Sequence, residues 1–323
     1  MPSPSKSLAT LRPDIAGSFM EYELAADQQG FIAHRVLPVF EVAKKSGTFG
    51  RIPIEQLLQK RETLRGPGGA YNRGAFTFED ESYGCQEHGL EEPVDDTEAE
   101  MYAEYFDAEE TAGLRAFDAV LRSAEERASD TLFNATTFTP RTVTNEWDDF
   151  TNATPVDDVE AAVRDVWEAS GLWPNGLILN RLVFRNLRFC EQIIEKIASS
   201  GAGQSVKPGK ITVQQLAEVF DLDQIIVAGT PKNTADEGQS VSIAPIWSSE
   251  YAMVARIATR PRDIREPCLG RTFHWGEDGS QIGGTVESYR DEGIRSDVIR
   301  VRHDVHEKIL YVAAAKLLDN ITT

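Results

Sequence analysis

Residues 287–310 read ESYRDEGIRSDVIRVRHDVHEKIL, and they are the most informative segment of the chain. Residues 298–302 alternate apolar and charged side chains, which is typical of a half-buried strand. An apolar run over residues 309–315 follows. Neither segment carries a nucleophile motif or a set of polar residues that could form a catalytic pocket. The segment therefore predicts a structural role.

This segment resembles the C-terminal part of tailed-phage major capsid proteins of the Hong Kong 97 type. The resemblance implies an α+β capsid fold with an N-terminal arm, an extended β-loop, a long spine helix in a peripheral domain and an inserted axial α/β domain. By order and length, the expected parts are the arm (1–36), the extended loop with its flanking strands (37–93), the peripheral domain with the spine helix (94–154), the axial domain (155–258) and the strands that return to the peripheral domain (259–323).

The composition limits the classes of function. The chain has 323 residues with 52 acidic against 33 basic ones, a net charge of −19. This charge argues against a dedicated nucleic-acid binder, which needs a basic surface to release counterions. No apolar run approaches the roughly 18 residues that cross a bilayer, and we expect no membrane partner. Three cysteines without CxxC spacing indicate reduced, buried thiols.

The sequence pattern within residues 39–85 supports the expected extended loop with its flanking strands (37–93). Short β-type runs flank the charged segment EQLLQKRETLRGPGGA (55–70), which ends in a Gly-Pro-Gly-Gly breaker. Such a protruding β-arm cannot bury its own apolar surface, so it should pair with a neighbouring molecule. Within the resemblance, Lys60, Arg61 and Arg65 at the loop tip are expected to contact acidic surface on an adjacent subunit.

Residues 97–132 predict the longest helix. Apolar residues at steps of three, four or seven form one stripe, and ten acidic residues between 98 and 130, Glu125 among them, are assigned to the other face. Gly113 is a candidate kink, which leaves two shorter helices as an alternative. From residue 155 to 258, helix and strand patterns alternate, as in a compact α/β domain.

Two features resemble chemical motifs, but neither is expected to have a chemical function. Gly209-Lys210 is followed by isoleucine, whereas a phosphate-binding loop requires serine or threonine there. Glu91-Glu92 and Asp148-Asp149 resemble acid–base pairs, but adjacent pairs are expected by chance among 52 acidic residues. We therefore predict no catalytic residue and no cofactor.

His303 and His306 are the remaining candidates for metal ligands. On a strand, residues three apart face opposite ways and cannot chelate one ion. We therefore predict no metal site, and exposed or interface histidines.

The predicted function is that of a viral coat subunit in the virion, assembled in the host cytoplasm. Expected partners are other copies of the chain in hexamers and pentamers, portal and scaffolding proteins, a decoration protein, and packaged double-stranded DNA contacted non-specifically at the inner face. The alternatives are an encapsulin-type nanocompartment shell, which shares the fold, and a soluble α/β enzyme built on residues 155–258.

Overall fold

The computed structural model describes residues 10–11, 30–51, 53–75, 77, 79–102, 107–199, 207–236, 238–276 and 284–322. Their helices are α1 (Ala33–Val36), α2 (Ile54–Leu58), α3 (Asp96–Tyr102), α4 (Ala108–Leu132), α5 (Pro155–Ser170), α6 (Arg181–Leu187), α7 (Glu191–Ser199) and α8 (Val213–Phe220). Their strands are β1 (Thr10–Leu11), β2 (Val39–Val42), β3 (Ser46–Arg51), β4 (Glu79–Gly84), β5 (Gln86–Asp95), β6 (Arg141–Thr142), β7 (Gly176–Asn180), β8 (Gln224–Ala228), β9 (Pro231–Asn233), β10 (Ile243–Pro245), β11 (Ala252–Ala255), β12 (Gly270–Trp275), β13 (Thr285–Asp291), β14 (Ser296–Ile309) and β15 (Ala315–Asp319).

The first sheet is built around β14, the strand predicted from residues 298–302. Its order is β1-β13-β14-β12-β2, and β5 also pairs with β14. Residues 296–302 of β14 pair with both β13 and β5, so these two strands lie on opposite sides of it. Helix α4 packs on this sheet through Ala116, Phe117 and Val120, which join Ile299 and Val301 in one core cluster.

The second sheet has the order β6-β15-β11-β7-β8. All residues of β7 and β11 are buried, as expected for continuous apolar runs with elements packed on both faces. One face carries a core with residues from α5 to α8. The other face carries a core that includes α1 and the C-terminal part of α4. Helix α4 therefore contacts both sheets and joins them.

The predicted helix over residues 97–132 occurs as α3 and α4, with residues 103–106 outside the described part. Asp107 begins α4, because its side chain accepts the N–H groups of Glu109 and Glu110. Gly113 is buried within α4, which continues past it, so the two shorter helices of the alternative are divided before Ala108 and not at Gly113. The apolar stripe is confirmed at Phe117, Leu121, Ala124 and Ala128.

The strands of the predicted segment 259–323 lie in two different sheets. Strands β12–β14 belong to the first sheet, whereas β15 pairs with β11 in the second sheet. Leu317 and Leu318 are buried on the two faces of that strand, which requires a position covered on both sides. Within the predicted arm, β1 pairs with β13, and the predicted helical stretch around 19–28 lies outside the described residues.

Candidate assembly surfaces

The predicted β-arm is formed by β3 and β4, which pair antiparallel from Ser46↔Gly84 to Arg51↔Glu79. The strand pair is fixed to the end of β14. The Arg51 guanidinium donates to the Leu310 carbonyl at 2.5 Å. The Lys308 ammonium donates to the Ser82 carbonyl at 2.8 Å. Both strands are thus held beside the end of β14, and the loop lies between Arg51 and Glu79 in the chain.

The loop beyond the arm maintains its shape through side chains that bind its own backbone. Gln56 and Thr77 exchange two hydrogen bonds of 2.7 Å across the loop base. The Arg65 guanidinium donates to the Gly69 carbonyl at 2.6 Å and lies 4.6 Å from the centre of the Tyr71 ring. Asn72 donates to the Glu62 carbonyl at 3.0 Å. These contacts order a segment whose regular secondary structure, among its described residues, is the short helix α2.

The three predicted contact residues all lie on this loop. Lys60 and Arg65 are exposed, whereas Arg61 is half-buried and donates to the Ala75 carbonyl at 3.2 Å. The tip also exposes apolar surface, because Leu64 and Tyr71 are 82% and 73% exposed. The loop therefore presents basic and apolar groups together on one exposed surface.

Glu125 of α4 fixes the end of the N-terminal arm (1–36). The sequence pattern assigned this residue to the exposed acidic face of the helix, which is wrong. Its side chain is 1% exposed. Its two carboxylate oxygens accept the backbone N–H groups of Ile32 and Ala33 at 2.8 Å each, and the Trp247 indole N–H at 2.6 Å. Burial raises the pKa of Glu125, and the three donors offset part of this rise. One carboxylate thus connects α1, α4 and the segment before β11.

A cluster of histidines lies where α4 and α1 cover the first sheet. His303 on β14 pairs with His88 on β5, and their rings meet edge to face at 6.1 Å. His274 on β12 lies opposite Val305, on the same face of the sheet as His303. His34 of α1 and Arg127 of α4 are also close enough to affect His303 electrostatically. Four of the five histidines are therefore gathered in one layer.

His303 is fully buried, so the expectation of an exposed or interface histidine is wrong. Neither of its ring nitrogens has a hydrogen-bond partner among the described residues. Burial lowers the pKa of His303 to about 3, and the positive charge of Arg127 contributes to this shift. His306 lies three residues along the same strand and therefore on the opposite face, as predicted.

A second buried charge organises the chain before β12. Arg271 is 0% exposed. Its guanidinium donates to the backbone carbonyls of Arg260, Pro261 and Asp263 at 3.1, 2.6 and 2.6 Å. The Glu266 carboxylate accepts the N–H groups of Thr259 and Arg260 in the same loop. A sequence gives no sign of this arrangement, because an arginine in a strand pattern is read as solvent-facing.

The candidate chemical motifs have structural roles in the described residues. Gly209 and Lys210 lie in a short 3-10 helix. Glu91 accepts from Arg300 at 2.6 Å, and Glu92 lies 3.5 Å from Arg115. All three cysteines are free and buried, as expected.

Metal-binding clusters and membrane-spanning helices are both absent from the described residues. No group of three or more His, Cys, Asp or Glu side chains is arranged to hold a metal ion. Across the same part of the chain, no helix is both long and apolar enough to cross a membrane.

Comparison with known proteins follows the resemblance seen in the sequence. No protein-family model matches the chain. The chain is 26% identical over 261 residues to the major capsid protein of Pseudomonas phage JBD67, covering 79% of this chain and 80% of that protein. It is 27% identical over 281 residues to the major capsid protein of Burkholderia phage BcepMu, covering 84% and 86%. The chain is related to phage major capsid proteins.

Solved structures show that the relationship includes the fold. A phage-related protein from Bordetella bronchiseptica RB50 superposes with a TM-score of 0.68 at 19% identity, covering 97% of this chain and 98% of that chain. The capsid protein in the structure of Cyanophage P-SCSP1u superposes with a TM-score of 0.59 at 10% identity, covering 88% and 86%. The predicted resemblance to phage major capsid proteins is confirmed, and so is the mixed helix and sheet fold.

Proposed function

We propose that this chain is the major capsid protein of a tailed phage, a subunit that assembles into the icosahedral shell around double-stranded DNA. The observation that carries the proposal is the similarity to two phage major capsid proteins over about four fifths of the chain. A shell subunit functions through contacts between copies, so its functional residues are those that form and support interfaces. In this role the chain is a structural protein and not an enzyme.

In this proposal the first sheet with α4 is the peripheral domain, and the second sheet with α5–α8 is the axial domain. The chain leaves the first sheet after β5, builds most of the second sheet, and comes back at β12. This path supports an inserted domain. Helix α4, which contacts both cores, corresponds to the spine helix. The arm of β3 and β4 with its loop corresponds to the extended loop.

The loop tip is proposed to bind an adjacent subunit. Residues 59–75 contain four basic residues (60, 61, 65 and 73) and one acidic residue (62), a net charge of +3. The whole chain carries −19, so the rest of it carries −22. Opposite charges on two surfaces steer and orient association, and exposed apolar groups at the tip add burial. Another copy of the same chain thus offers a suitable acidic partner.

Reversing the tip charge tests this contact. The triple variant K60E/R61E/R65E is expected to reduce the assembled fraction at least about tenfold, because like charges would meet across the interface. The subunit should stay folded, since the tip lies outside both cores. Sedimentation velocity separates shells from free subunits, and circular dichroism reports the fold.

The matched control is K60R/R61K/R65K, which retains all three positive charges. It should assemble as the unaltered chain does. If the charge-reversed variant assembled normally, the loop tip would not be the contact surface. If the unaltered chain itself formed no shells, the capsid proposal would be wrong instead.

The remaining partners follow from the shell. Hexamers and pentamers of the chain would tile it, a portal would occupy one vertex, and a scaffolding protein would guide assembly. A decoration protein would add to the outer surface. Packaged DNA would contact the inner face without sequence recognition. A chain of net charge −19 would repel the DNA weakly.

A further inference from the structure

Helices α5 and α6 carry complementary surfaces. We propose that the basic face of α6 in one copy docks on the acidic face of α5 in the next copy. This contact rests on the proposed shell function and assigns residues to one of its interfaces. It is separate from the loop tip, because both helices belong to the second sheet.

The face of α6 is basic and apolar. Residues 181–190 read RLVFRNLRFC, with three arginines and no acidic residue. Val183 and Leu187 point into the core, whereas Arg181 and Arg185 are exposed. Beside them, Leu182 and Phe189 are 54% and 40% exposed. This combination of arginine with exposed apolar groups is typical of interface residues.

Arg181 and Arg185 on α6 form no ion pair with the described residues. Most other arginines of the described residues form ion pairs, for example Arg290 with Asp96 and Arg300 with Glu91. Among the ion pairs of the described chain, none involves Arg181 or Arg185. These two guanidinium groups are therefore available to a partner.

The exposed face of α5 has the opposite character. Asp157, Glu160 and Glu168 are exposed there with a single basic residue, Arg164, between them. Trp167 on the same face is 51% exposed. Within the described part of the chain, neither Glu160 nor Glu168 takes part in an ion pair. The two helices thus match in both charge and apolar surface.

The two helices lie over different strands of the second sheet. Helix α5 contacts β15 and β11, whereas α6 contacts β7 and β8. In the order β6-β15-β11-β7-β8 these pairs lie toward opposite edges of the sheet. A contact between two different surfaces of identical copies repeats from copy to copy and closes into a ring when the rotation permits. The arrangement fits a ring of second-sheet domains.

A charge-swap experiment tests the contact with the full-length chain. One variant, R181E/R185E, makes both faces acidic, and a second variant, E160R/E168R, makes both faces basic. Each alone is expected to lose about tenfold or more of its assembled fraction, because like charges oppose across every contact. The quadruple variant R181E/R185E/E160R/E168R carries both reversals in one chain and restores opposite charges at every contact, whatever the number of copies in the ring. Assembly of this variant should therefore recover.

Sedimentation velocity and negative-stain electron microscopy measure assembly, and circular dichroism confirms that each variant is folded. The conservative variant R181K/R185K should assemble normally. Normal assembly of R181E/R185E alone would overturn the proposal, and so would a folded quadruple variant that fails to assemble. Failure of the unaltered chain to assemble would instead contradict the proposed function, which separates the two claims.

Discussion

Glu125→Ala is expected to lower the free energy of unfolding by about 4 kcal/mol, a large part of the total stability of a typical domain. The substitution leaves three buried N–H donors without an acceptor, those of Ile32, Ala33 and Trp247. An unsatisfied buried donor costs about 1–3 kcal/mol, and bonds to a charged acceptor lie at the upper end. The loss also releases α1 from α4, so the entry of the N-terminal arm should lose its fixed position.

The neighbouring Glu126 provides the matched control. Its side chain is 47% exposed and pairs with Lys232 at 2.6 Å. Exposed ion pairs contribute about 0–1 kcal/mol, so Glu126→Gln should change stability little. Urea denaturation should be done on the non-assembling loop-tip variant, because assembly raises apparent stability. Equal effects of the two substitutions would show that Glu125 is not an anchor.

The stability of the chain is expected to fall as the pH decreases from 7 to 5, by about 2 kcal/mol from His303 alone. The pKa of His303 is lowered to about 3 by burial and then by Arg127 and the neighbouring histidines. In the unfolded chain the ring takes up a proton near pH 6.5, whereas in the folded chain it stays neutral until about pH 3. The unfolded state therefore binds more protons in this range, and stability is lost as the pH falls through it.

The His303 prediction is checked by urea denaturation at pH 7, 6 and 5. His303→Leu removes the titrating ring and should reduce the dependence of the free energy of unfolding on pH. Burial also lowers the pKa of His88, so part of this dependence should remain. Glu307, paired with Arg127 at 2.9 Å, and the buried Asp304 are acidic groups next to this layer, and both stay in place in the variant. A free energy of unfolding that is constant from pH 7 to 5 would contradict the buried, neutral state of His303.

Local patterns predicted much of the fold. The alternation over residues 298–302 identified β14, since the direction of side chains in a strand is a property of the strand itself. The apolar run at residues 176–180 identified β7 for a similar reason, and the β-arm was expected from turn residues between two extended segments. The break before α4 was missed, because apolar spacing continues across it, although Asp107 three residues before Glu110 is a helix-start signal.

Burial of charged and titratable groups could not be predicted in the same way. His303 is buried by α4 and α1, which come from distant parts of the chain, so its own neighbours in sequence give no sign of it. Glu125 lies four residues after Leu121, at the edge of the apolar stripe, and this position is the one signal that could have identified it. The role of β15 depends on which sheet has space for a strand with two buried leucines.

The loop-tip residues remain a prediction from sequence to which the structure adds geometry. Lys60, Arg61 and Arg65 share one ordered loop, but the partner that we propose for them is another copy of the chain. A single subunit contains half of each interface. The complementary charges of α5 and α6 are likewise a proposal, since they rest on charged groups that form no ion pair with the described residues.

Negative-stain electron microscopy of the native assembly, combined with a nuclease-protection assay, tests the proposed capsid function. We predict closed icosahedral shells that protect double-stranded DNA from digestion. Shells that enclose a protein cargo without DNA would favour a nanocompartment over a capsid. A discrete monomer or small oligomer that forms no shell would contradict the central claim that this chain is a capsid subunit.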